Sequence, residues 1–364
     1  MKIQNIIAFL ETIAPASLQE SYDNAGLIVG DKFKECTGII TSLDATESVV
    51  QEAIDKNCNL IVAHHPIIFS GLKKITGKNY IEKTIILAIK NDIAIYAIHT
   101  NLDNVIDGVN AKIADKLGLI NTKILQPKKE LLKKLYTFVP VKHAEAVRQA
   151  IFTAGGGAIS KYSECSFNTA GEGTFLPNEG TNPFAGQISK RHTENEIKIE
   201  VIFNNWLAPN IIAAMKAAHP YEEVAYDILS LENEHTTIGS GLLGELPEPV
   251  DEQDFLQSLK GSFNLTIIKH TSLLGKKVQK IALCGGAGSF LIPAAACARA
   301  DFYITSDIKY HEFFDADNKL VIADIGHYES EQFTIDLLFD LLSKKFLNFA
   351  IFKTGMVTNP VKYF

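Results

Sequence analysis

Residues 59–71 read NLIVAHHPIIFSG and indicate both a type of β-sheet and the place of a binding site. Their apolar run is typical of a strand that is buried on both faces, as in a parallel sheet. The run ends in two adjacent histidines, His64 and His65. Because ligands of open α/β sheets bind beyond the carboxyl ends of the strands, this pair of imidazoles predicts a binding site there.

Short β-rich runs alternate with helical patterns on both sides of that stretch. GIITSLD at 38–44 is followed by the helical pattern TESVVQEAIDKN at 46–57, and the same alternation resumes in KIALCGGAGS at 280–289. Alternating strands and helices predict a parallel sheet with helices on both faces. The predicted fold class is α/β, with a three-layer α/β/α domain formed by residues 1–127 together with residues 233–364.

Residues 128–232 have a different pattern, which reads in order as strand, helix, strand, strand, helix and strand. This order predicts a small α+β unit of the ferredoxin-like type. An insertion is tolerated at an exposed loop when the two ends of the insert lie close together. We therefore expect one split α/β domain that carries this unit as an inserted domain.

The composition excludes several classes of protein. The 364 residues are 46% hydrophobic and carry a net charge of -7, so no nucleic-acid partner is expected. The five cysteines are scattered without a CxxC pair, which indicates small core residues in a reducing cytoplasm. Glu11 interrupts the apolar N-terminal pattern, and no apolar run reaches the length of a membrane span, so neither a signal peptide nor a membrane partner is expected.

Two further strand ends carry groups that bind metals. IAIYAIHTNLD at 93–103 places His99 and Asp103 beyond a second strand. A third strand, in LVIADIGH, leads into a helix on which His327 and Glu331 are four residues apart and share a face. Each signal alone has a structural explanation, such as a core histidine, a helix cap or a chance pair. Their coincidence at one sheet edge favours a common pocket.

This set of side chains predicts a metal centre. Three histidines and two carboxylates exceed the needs of one ion, and mixed nitrogen and oxygen ligands suit zinc, iron, manganese or cobalt. The predicted cofactors are two divalent ions per chain, with zinc, iron or manganese first. Two ions sharing a bridging group make a metal-bound hydroxide available at neutral pH, and hydrolysis is the natural chemistry.

Two histidines are candidates for proton transfer, His99 and His311. His311 follows the strand pattern DFYITSD, with Asp307 nearby, and an exposed residue at a helix start explains it equally well. CGGAGSF at 284–290 lacks the P-loop lysine and is interpreted as a tight turn between strand and helix that also contacts ligand.

Five motifs carry a family resemblance: SYDNAGLIVGD, AHHPIIFSGLKKI, IHTNLDNVIDGVN, ITSDIKYHEFFDA and GHYESEQF. They resemble the signature blocks of the Ngg-interacting-factor-three family, whose members are often named GTP cyclohydrolase I type 2 homologues. The resemblance implies a ring-shaped homo-oligomer, commonly a hexamer. It also implies a dinuclear metal site built from the residues that the strand ends select, namely His64, His65, Asp103, His327 and Glu331.

The middle segment resembles the PII-like or CutA-type insert of longer family members, most clearly in AHPYEEVAYDI at 218–228. His219, Glu222 and Glu223 are interpreted there as a structural turn before a strand rather than as a second site. The sequence departs from the family pattern at Tyr22, where tryptophan is common. It also lacks an arginine after Glu331, which removes a cation suited to phosphate.

The leading hypothesis is a dinuclear metal-dependent hydrolase whose metal-bound hydroxide attacks a nucleotide-like, heterocyclic or phosphoester small molecule. The family resemblance adds ring opening of GTP, although no residue pattern selects guanine. The alternative is a non-catalytic metal-binding regulatory or metal-handling protein. An open coordination position beside a proton-transfer group distinguishes the first hypothesis from the second.

Overall fold

A computed structural model describes residues 1–364 and divides them into two compact units. Unit 1 consists of Met1–Pro127 and Thr237–Phe364, and unit 2 consists of Lys128–Thr236. No helix combines the length and the apolar character that crossing a bilayer requires.

The secondary structure follows the alternation that the sequence predicts. The strands are β1 (Gly26–Val29), β2 (Ile39–Ser42), β3 (Leu60–Ala63), β4 (Ala94–Ala97), β5 (Ile120–Pro127), β6 (Leu132–Pro140), β7 (Phe167–Phe175), β8 (His192–Asn204), β9 (Tyr226–Leu231), β10 (Gly239–Asp251), β11 (Lys269–His270), β12 (Lys277–Ala287), β13 (Phe302–Ser306), β14 (Val321–Asp324) and β15 (Ile351–Lys353). The α-helices are α1 (Ile3–Ile13), α2 (Glu47–Asp55), α3 (Tyr80–Lys90), α4 (Thr100–Asp103), α5 (Val109–Lys116), α6 (Ala144–Thr153), α7 (Ala208–Ala218), α8 (Glu252–Ser262), α9 (Ile292–Cys297), α10 (His327–Glu331) and α11 (Thr334–Lys345). Short 3-10 helices cover Ala16–Leu18, Val141–His143, Asn205–Leu207, Ser289–Leu291 and Tyr310–Ala316.

Sheet A of unit 1 has the strand order β1-β4-β3-β2-β15. Its inner pairs are parallel, and β1 runs antiparallel to β4 at one edge. Every residue of β2, β3 and β4 is buried, because apolar groups from helices such as α2 and α3 pack on the sheet. Val49 of α2 and Ile85 of α3 join Ile40, Ile61 and Ile95 in this core.

Sheet B of unit 1 has the strand order β11-β14-β13-β12-β10-β5. The three strands β12, β13 and β14 are parallel, and the remaining pairs are antiparallel. Tyr303 of β13 and Ile322 of β14 pack against Ala295 of α9 in the core beside this sheet. The long strand β10, which is absent from the sequence prediction, lies between β12 and β5 and pairs with both.

The two sheets correct the expectation of one parallel sheet in a three-layer domain. The chain alternates α and β elements as expected, but β3 and β4 belong to sheet A, whereas β14 belongs to sheet B. Apolar periodicity identifies a strand from its own residues, whereas strand pairing depends on contacts between distant parts of the chain. The strand ends that carry the candidate ligands therefore come from two sheets of unit 1.

Unit 2 contains sheet C, a four-stranded antiparallel sheet with the order β7-β8-β6-β9. Its elements follow each other as β6-α6-β7-β8-α7-β9, the connectivity of ferredoxin-like folds. Val147 of α6 and Met215 of α7 pack against Leu135 and Ile199 of the sheet. The helices therefore cover one face of sheet C, and the side chains that alternate with this core lie on the other face.

Candidate metal centre

The adjacent histidines occupy the carboxyl end of β3, as the sequence predicts. The strand ends at Ala63, so His64 and His65 lie beyond its regular alternation and need not point to opposite faces. Their ring centroids are 4.9 Å apart, and ring nitrogens of both belong to one cluster of donor atoms. His64 is completely buried, whereas His65 is partly exposed.

His99 and Asp103 come from the short helix α4, which follows β4. His99 precedes the first residue of this helix, and Asp103 is its last residue. Asp103 does not cap the next helix, because α5 begins at Val109 after Gly108. Helix capping therefore does not explain the presence of Asp103 at this place.

His327 and Glu331 lie at the two ends of helix α10, beyond β14. The His327 Nε2 and Glu331 Oε2 atoms are 3.1 Å apart, so the two side chains share a face. Glu331 is buried against the carboxyl end of β12, where a Cβ atom on Gly286 would lie 2.4 Å from Glu331 Oε1. Gly286 has φ +63°, a conformation that favours glycine. The stretch CGGA, predicted from the sequence as part of a tight turn, is instead the end of β12, and its glycine gives the Glu331 carboxylate its space.

Each of the three histidines next to Glu331 is held by its Nδ1 atom. A partner that accepts the Nδ1 proton leaves Nε2 free to bind a metal, and such outer partners are a regular feature of metal sites. The three Nδ1 contacts are His64 to the carbonyl oxygen of Ile98 at 2.9 Å, His65 to Asp44 at 2.8 Å and His327 to Asp307 at 2.6 Å.

The donor atoms form two groups that share one residue. One group consists of His64, Asp103 and Glu331, and the other consists of His65, His327 and Glu331. Within each group the ligand atoms lie within 4.8 Å of one another. Glu331 is the one residue that belongs to both, and the donor atoms of each group could hold a metal ion. His99 forms a third group with His64 and His65.

Two buried atoms test whether this site fits a metal. His64 Nε2 and Asp103 Oδ1 are buried without a hydrogen-bond partner, and they lie 3.5 Å apart. Glu331 Oε1 is 3.9 Å from the same nitrogen. Buried polar atoms without partners are costly and uncommon in folded proteins. A cation among these three acceptors satisfies all of them, so the residues fit a divalent metal ion.

The acid–base properties of the cluster reflect burial and mutual contact. Burial, together with the charge of Glu331, raises the pKa of Asp103 to about 8. Burial alone would raise the pKa of Glu331, but hydrogen bonds, led by that of His327, hold it well below its usual range. Burial would lower the pKa of His65, yet hydrogen bonds to Asp44 and Glu331 raise it to about 10. Protons on these imidazoles occupy the positions that a divalent cation takes on binding.

His99 has its own carboxylate partner. Its Nδ1 atom lies 2.8 Å from Asp23 Oδ1, and Asp23 also accepts hydrogen bonds from the backbone and hydroxyl of Thr100. Burial would raise the pKa of Asp23, but the hydrogen bonds from His99 and Thr100 lower it to about 2. The ring of His99 is 5.2 Å from that of His64. This Asp–His pair can orient a proton-transfer group beside the donor cluster.

A cavity of about 640 Å³ in unit 1, here called the histidine cavity, is lined by His65, His99, Asp103, His327 and Glu331. Four aromatic residues on its wall are each more than half exposed, namely Tyr22, Phe69, Tyr80 and Phe290. The C-terminal residues Thr358 and Pro360 form another part of the wall. No lysine or arginine lines the cavity, which leaves an anionic ligand without a basic side chain.

His311 does not line the histidine cavity. It is exposed in the 3-10 helix after β13, and its ring contacts those of Tyr310 and Phe314. Its role in proton transfer stays a prediction, without support from this placement.

Two of the carboxylates that hold the histidines, Asp44 and Asp23, are absent from the sequence prediction, and Asp307 is predicted beside His311 but lies against His327. Asp44 follows β2 and Asp307 follows β13, each just beyond the carboxyl end of its strand. The strand-end rule that selected His64 therefore applies to both residues, and Asp44 is the one that it was not applied to. Asp23 lies in the loop before β1, and no such rule selects it.

Comparisons with known proteins place the chain in a family. Residues 1–360 match the family model described as Duf34/NIF3 (NGG1p interacting factor 3). A Halalkalibacterium halodurans protein named GTP cyclohydrolase 1 type 2 homolog is 41% identical over 332 residues, covering 90% of this chain and 89% of the relative. A Bacillus subtilis protein of the same name is 36% identical over 366 residues, covering 99% and 98%. The crystal structure of a Bacillus cereus protein related to NIF3 has a TM-score of 0.87 and 39% identity, covering 100% of this chain and 99% of that chain.

Proposed function

This chain belongs to the Duf34/NIF3 family, and from that premise we propose that it is a metal-dependent hydrolase with a dinuclear centre. The proposed substrate is a small molecule that contains an aromatic heterocycle. The proposed metal ligands are His64, His65, Asp103, His327 and Glu331.

One observation carries the metal part of the proposal. The donor atoms form two groups of three that have only Glu331 in common. Three protein ligands per ion are typical of catalytic sites, because they leave a coordination position for water or substrate. Ligand sets of nitrogen and carboxylate oxygen favour zinc, iron or manganese over magnesium or calcium.

The protein's own residues orient the reaction. When bound, two divalent ions would polarise the reacting water and the scissile group and lower the pKa of that water. His99, which is held by Asp23, lies beside the donor cluster and can accept the proton of the attacking water. The same imidazolium then donates that proton to the leaving group, so the residue returns to its starting state.

The wall of the histidine cavity supports a heterocyclic substrate. Tyr22, Phe69, Tyr80 and Phe290 offer exposed rings on which a flat ring can stack. Relatives of this chain carry the name GTP cyclohydrolase 1 type 2 homolog, so GTP is one candidate. The absence of a lysine or arginine in the lining favours the ring over the triphosphate as the recognised part.

A non-catalytic metal-handling protein is the second candidate. The group of His64, His65 and His99 favours it, because a further imidazole on either ion would fill the position that a substrate needs. His99 therefore distinguishes the two functions. It is a metal ligand in the second candidate and a proton-transfer residue in the first.

Elemental analysis of the purified protein tests the proposal. We expect about two ions per chain in the wild type and about one in His64→Ala and in His327→Ala, because each belongs to one group. Glu331→Ala should lose both. His270→Ala, an exposed histidine outside the cavity, is the matched control and should retain two.

A hydrolysis screen of the metal-loaded protein with nucleosides, nucleotides and phosphoesters then tests turnover. Two ions with turnover that His99→Gln abolishes would support the hydrolase. Two ions without turnover on any substrate would favour the metal-handling protein. A wild type without metal would contradict both candidates.

We also propose that unit 2 is a PII-like insert and that the chain forms a homo-hexamer in the cytoplasm. The ferredoxin-like connectivity of unit 2 supports the first statement, and the five free cysteines support a reducing compartment. Light scattering after size exclusion should give six times the chain mass of 40.0 kDa. A monomer or dimer at micromolar concentration would contradict the hexamer.

A further inference from the structure

Unit 2 contains a second large cavity that the proposed hydrolysis does not use. It measures about 620 Å³ and is here called the glutamate cavity. Its floor is the face of sheet C opposite to the helices, and its walls come from the segment after β7 and the turn before β9. Its lining includes three aromatic residues, a glutamate and a lysine, namely Phe175, Phe184, Tyr221, Glu196 and Lys198.

A buried carboxylate lies on the floor of the glutamate cavity. Glu196 is only 8% exposed, and its one side-chain hydrogen bond comes from the Tyr221 hydroxyl, which donates to Oε1 at 2.7 Å. No lysine, arginine or histidine forms an ion pair with it. A carboxylate that is buried without a cation is costly, so a positive ligand at this place would stabilise the site.

Glycines on the neighbouring strand make room for this carboxylate. A Cβ atom on Gly173 would lie 2.2 Å from Glu196 Oε2, whereas a Cβ atom on Gly171 would meet nothing within 4 Å. Gly171 pairs directly with Glu196 across the two strands. The open space beside the carboxylate therefore lies above a strand without side chains at these two positions.

Aromatic rings stand beside the carboxylate. The ring centroid of Tyr221 is 5.8 Å from that of Phe175 and 6.1 Å from that of Phe184. Phe138 lines the same cavity. Rings arranged in this way attract a cation through their electron-rich faces, and the attraction is strongest where water is excluded.

The charge of the lining is negative. Glu172, Glu196, Glu222 and Glu223 line the cavity together with one basic residue, Lys198. That lysine is engaged elsewhere, because its Nζ atom lies 2.9 Å from Glu200 and 4.1 Å from the ring centroid of Tyr136. The lining therefore repels anions and leaves its carboxylates available to a cation.

The spacing of the carboxylates favours an organic cation over a metal ion. No three of the glutamates that line the cavity bring their oxygen atoms within 4.8 Å of one another, in contrast to the cluster in unit 1. We propose that the glutamate cavity binds a small organic ammonium ion. Its nitrogen contacts the Glu196 carboxylate, and its apolar body lies against Phe175, Phe184 and Tyr221.

Calorimetric titration of the full chain with 2-phenylethylamine tests the proposal. Two ligands of similar size are the comparison, the neutral 2-phenylethanol and the anionic 3-phenylpropionate. We expect saturable binding of one amine per chain, at least tenfold weaker binding of the alcohol and no saturable binding of the acid. Equal binding of amine and alcohol, or no saturable binding of the amine to the folded wild type, would overturn the proposal.

Three variants locate the binding site. Glu196→Gln keeps the shape of the side chain and removes its charge, so amine affinity should fall at least tenfold. Gly171→Leu fills the open space beside Glu196 and should abolish amine binding, although the Glu196 carboxylate itself is retained. Glu145→Gln, an exposed carboxylate on α6 outside the cavity, should bind as the wild type does. Unchanged amine affinity in a folded Gly171→Leu variant would overturn the assignment to this cavity, even if Glu196→Gln failed to fold.

Discussion

The histidine cavity of unit 1 measures about 640 Å³ and the glutamate cavity of unit 2 about 620 Å³, so their size does not distinguish them. Both have aromatic walls and buried carboxylates. In the first, imidazole and carboxylate atoms converge within 4.8 Å of one another, whereas in the second the carboxylates do not converge and no histidine takes part.

The two cavities differ in how closely their donor atoms converge, and convergence is what the binding of a metal ion requires. An ion needs several donor atoms around one point, which calls for a rigid arrangement of outer partners such as Asp44 and Asp307. An organic cation spreads its charge over a larger volume and can use one carboxylate with aromatic faces.

The largest effect is expected from Gly286→Ala. A Cβ atom there would lie 2.4 Å from Glu331 Oε1, and φ +63° costs a non-glycine residue about 1–2 kcal/mol. Displacement of the carboxylate shared by both donor groups should remove both ions and all turnover, as measured by elemental analysis and hydrolysis assays. Gly261→Ala, which has no neighbour within 4 Å, is the control and should retain both. Full metal content in a folded Gly286→Ala variant would contradict the bridging role of Glu331.

The second effect is expected from His99→Gln. If His99 transfers a proton, kcat should fall about 100-fold or more while the metal content stays unchanged. His311→Gln, measured in parallel, decides whether that exposed histidine takes part as well. Loss of one ion from His99→Gln would place His99 among the ligands and would favour the metal-handling protein.

The third effect is expected from Asp44→Asn. This change weakens the hold on His65 Nδ1, and loss of an outer partner typically lowers metal affinity about 10–100-fold. Competition with a chromogenic chelator measures the change. Thr358→Val removes only the hydroxyl that donates to the other oxygen of Asp44, so its effect should be smaller. An unchanged affinity in Asp44→Asn would mean that the contact with Asp44 does not tune the site.

The smallest effect is expected from Tyr221→Phe in the glutamate cavity. The ring remains for the cation, while Glu196 loses its one hydrogen bond. Amine affinity should therefore change less than about tenfold, whereas Glu196→Gln loses more, because the carboxylate interacts with the cation itself. If Tyr221→Phe weakened amine binding more than Glu196→Gln, hydrogen bonding by the phenol would be the dominant contact.

Much of the candidate metal site follows from local patterns in the sequence. The apolar runs before His64 and His99 and before the His327 helix predict buried strands, and the strand-end rule then selects the polar residues that follow. The structure brings Nε2 or carboxylate atoms of all five predicted ligands into the two groups around Glu331. The five motifs that resemble the family's signature blocks contain the same positions. The match of the family model over residues 1–360 confirms that the chain belongs to the family.

Three features follow from the amino-acid sequence without the structure: the α/β class, the strand ends that carry the donors and the helical spacing of His327 and Glu331. Each of them depends on residues that are close together in the chain. The tertiary structure adds that these strands belong to two sheets, that Asp23, Asp44 and Asp307 hold the imidazoles, and that His311 lies outside the histidine cavity. It alone also revealed the glutamate cavity, where Glu196, Tyr221 and Phe175 meet from separate segments. Such contacts join residues that are distant in sequence, and no local periodicity encodes which of them meet.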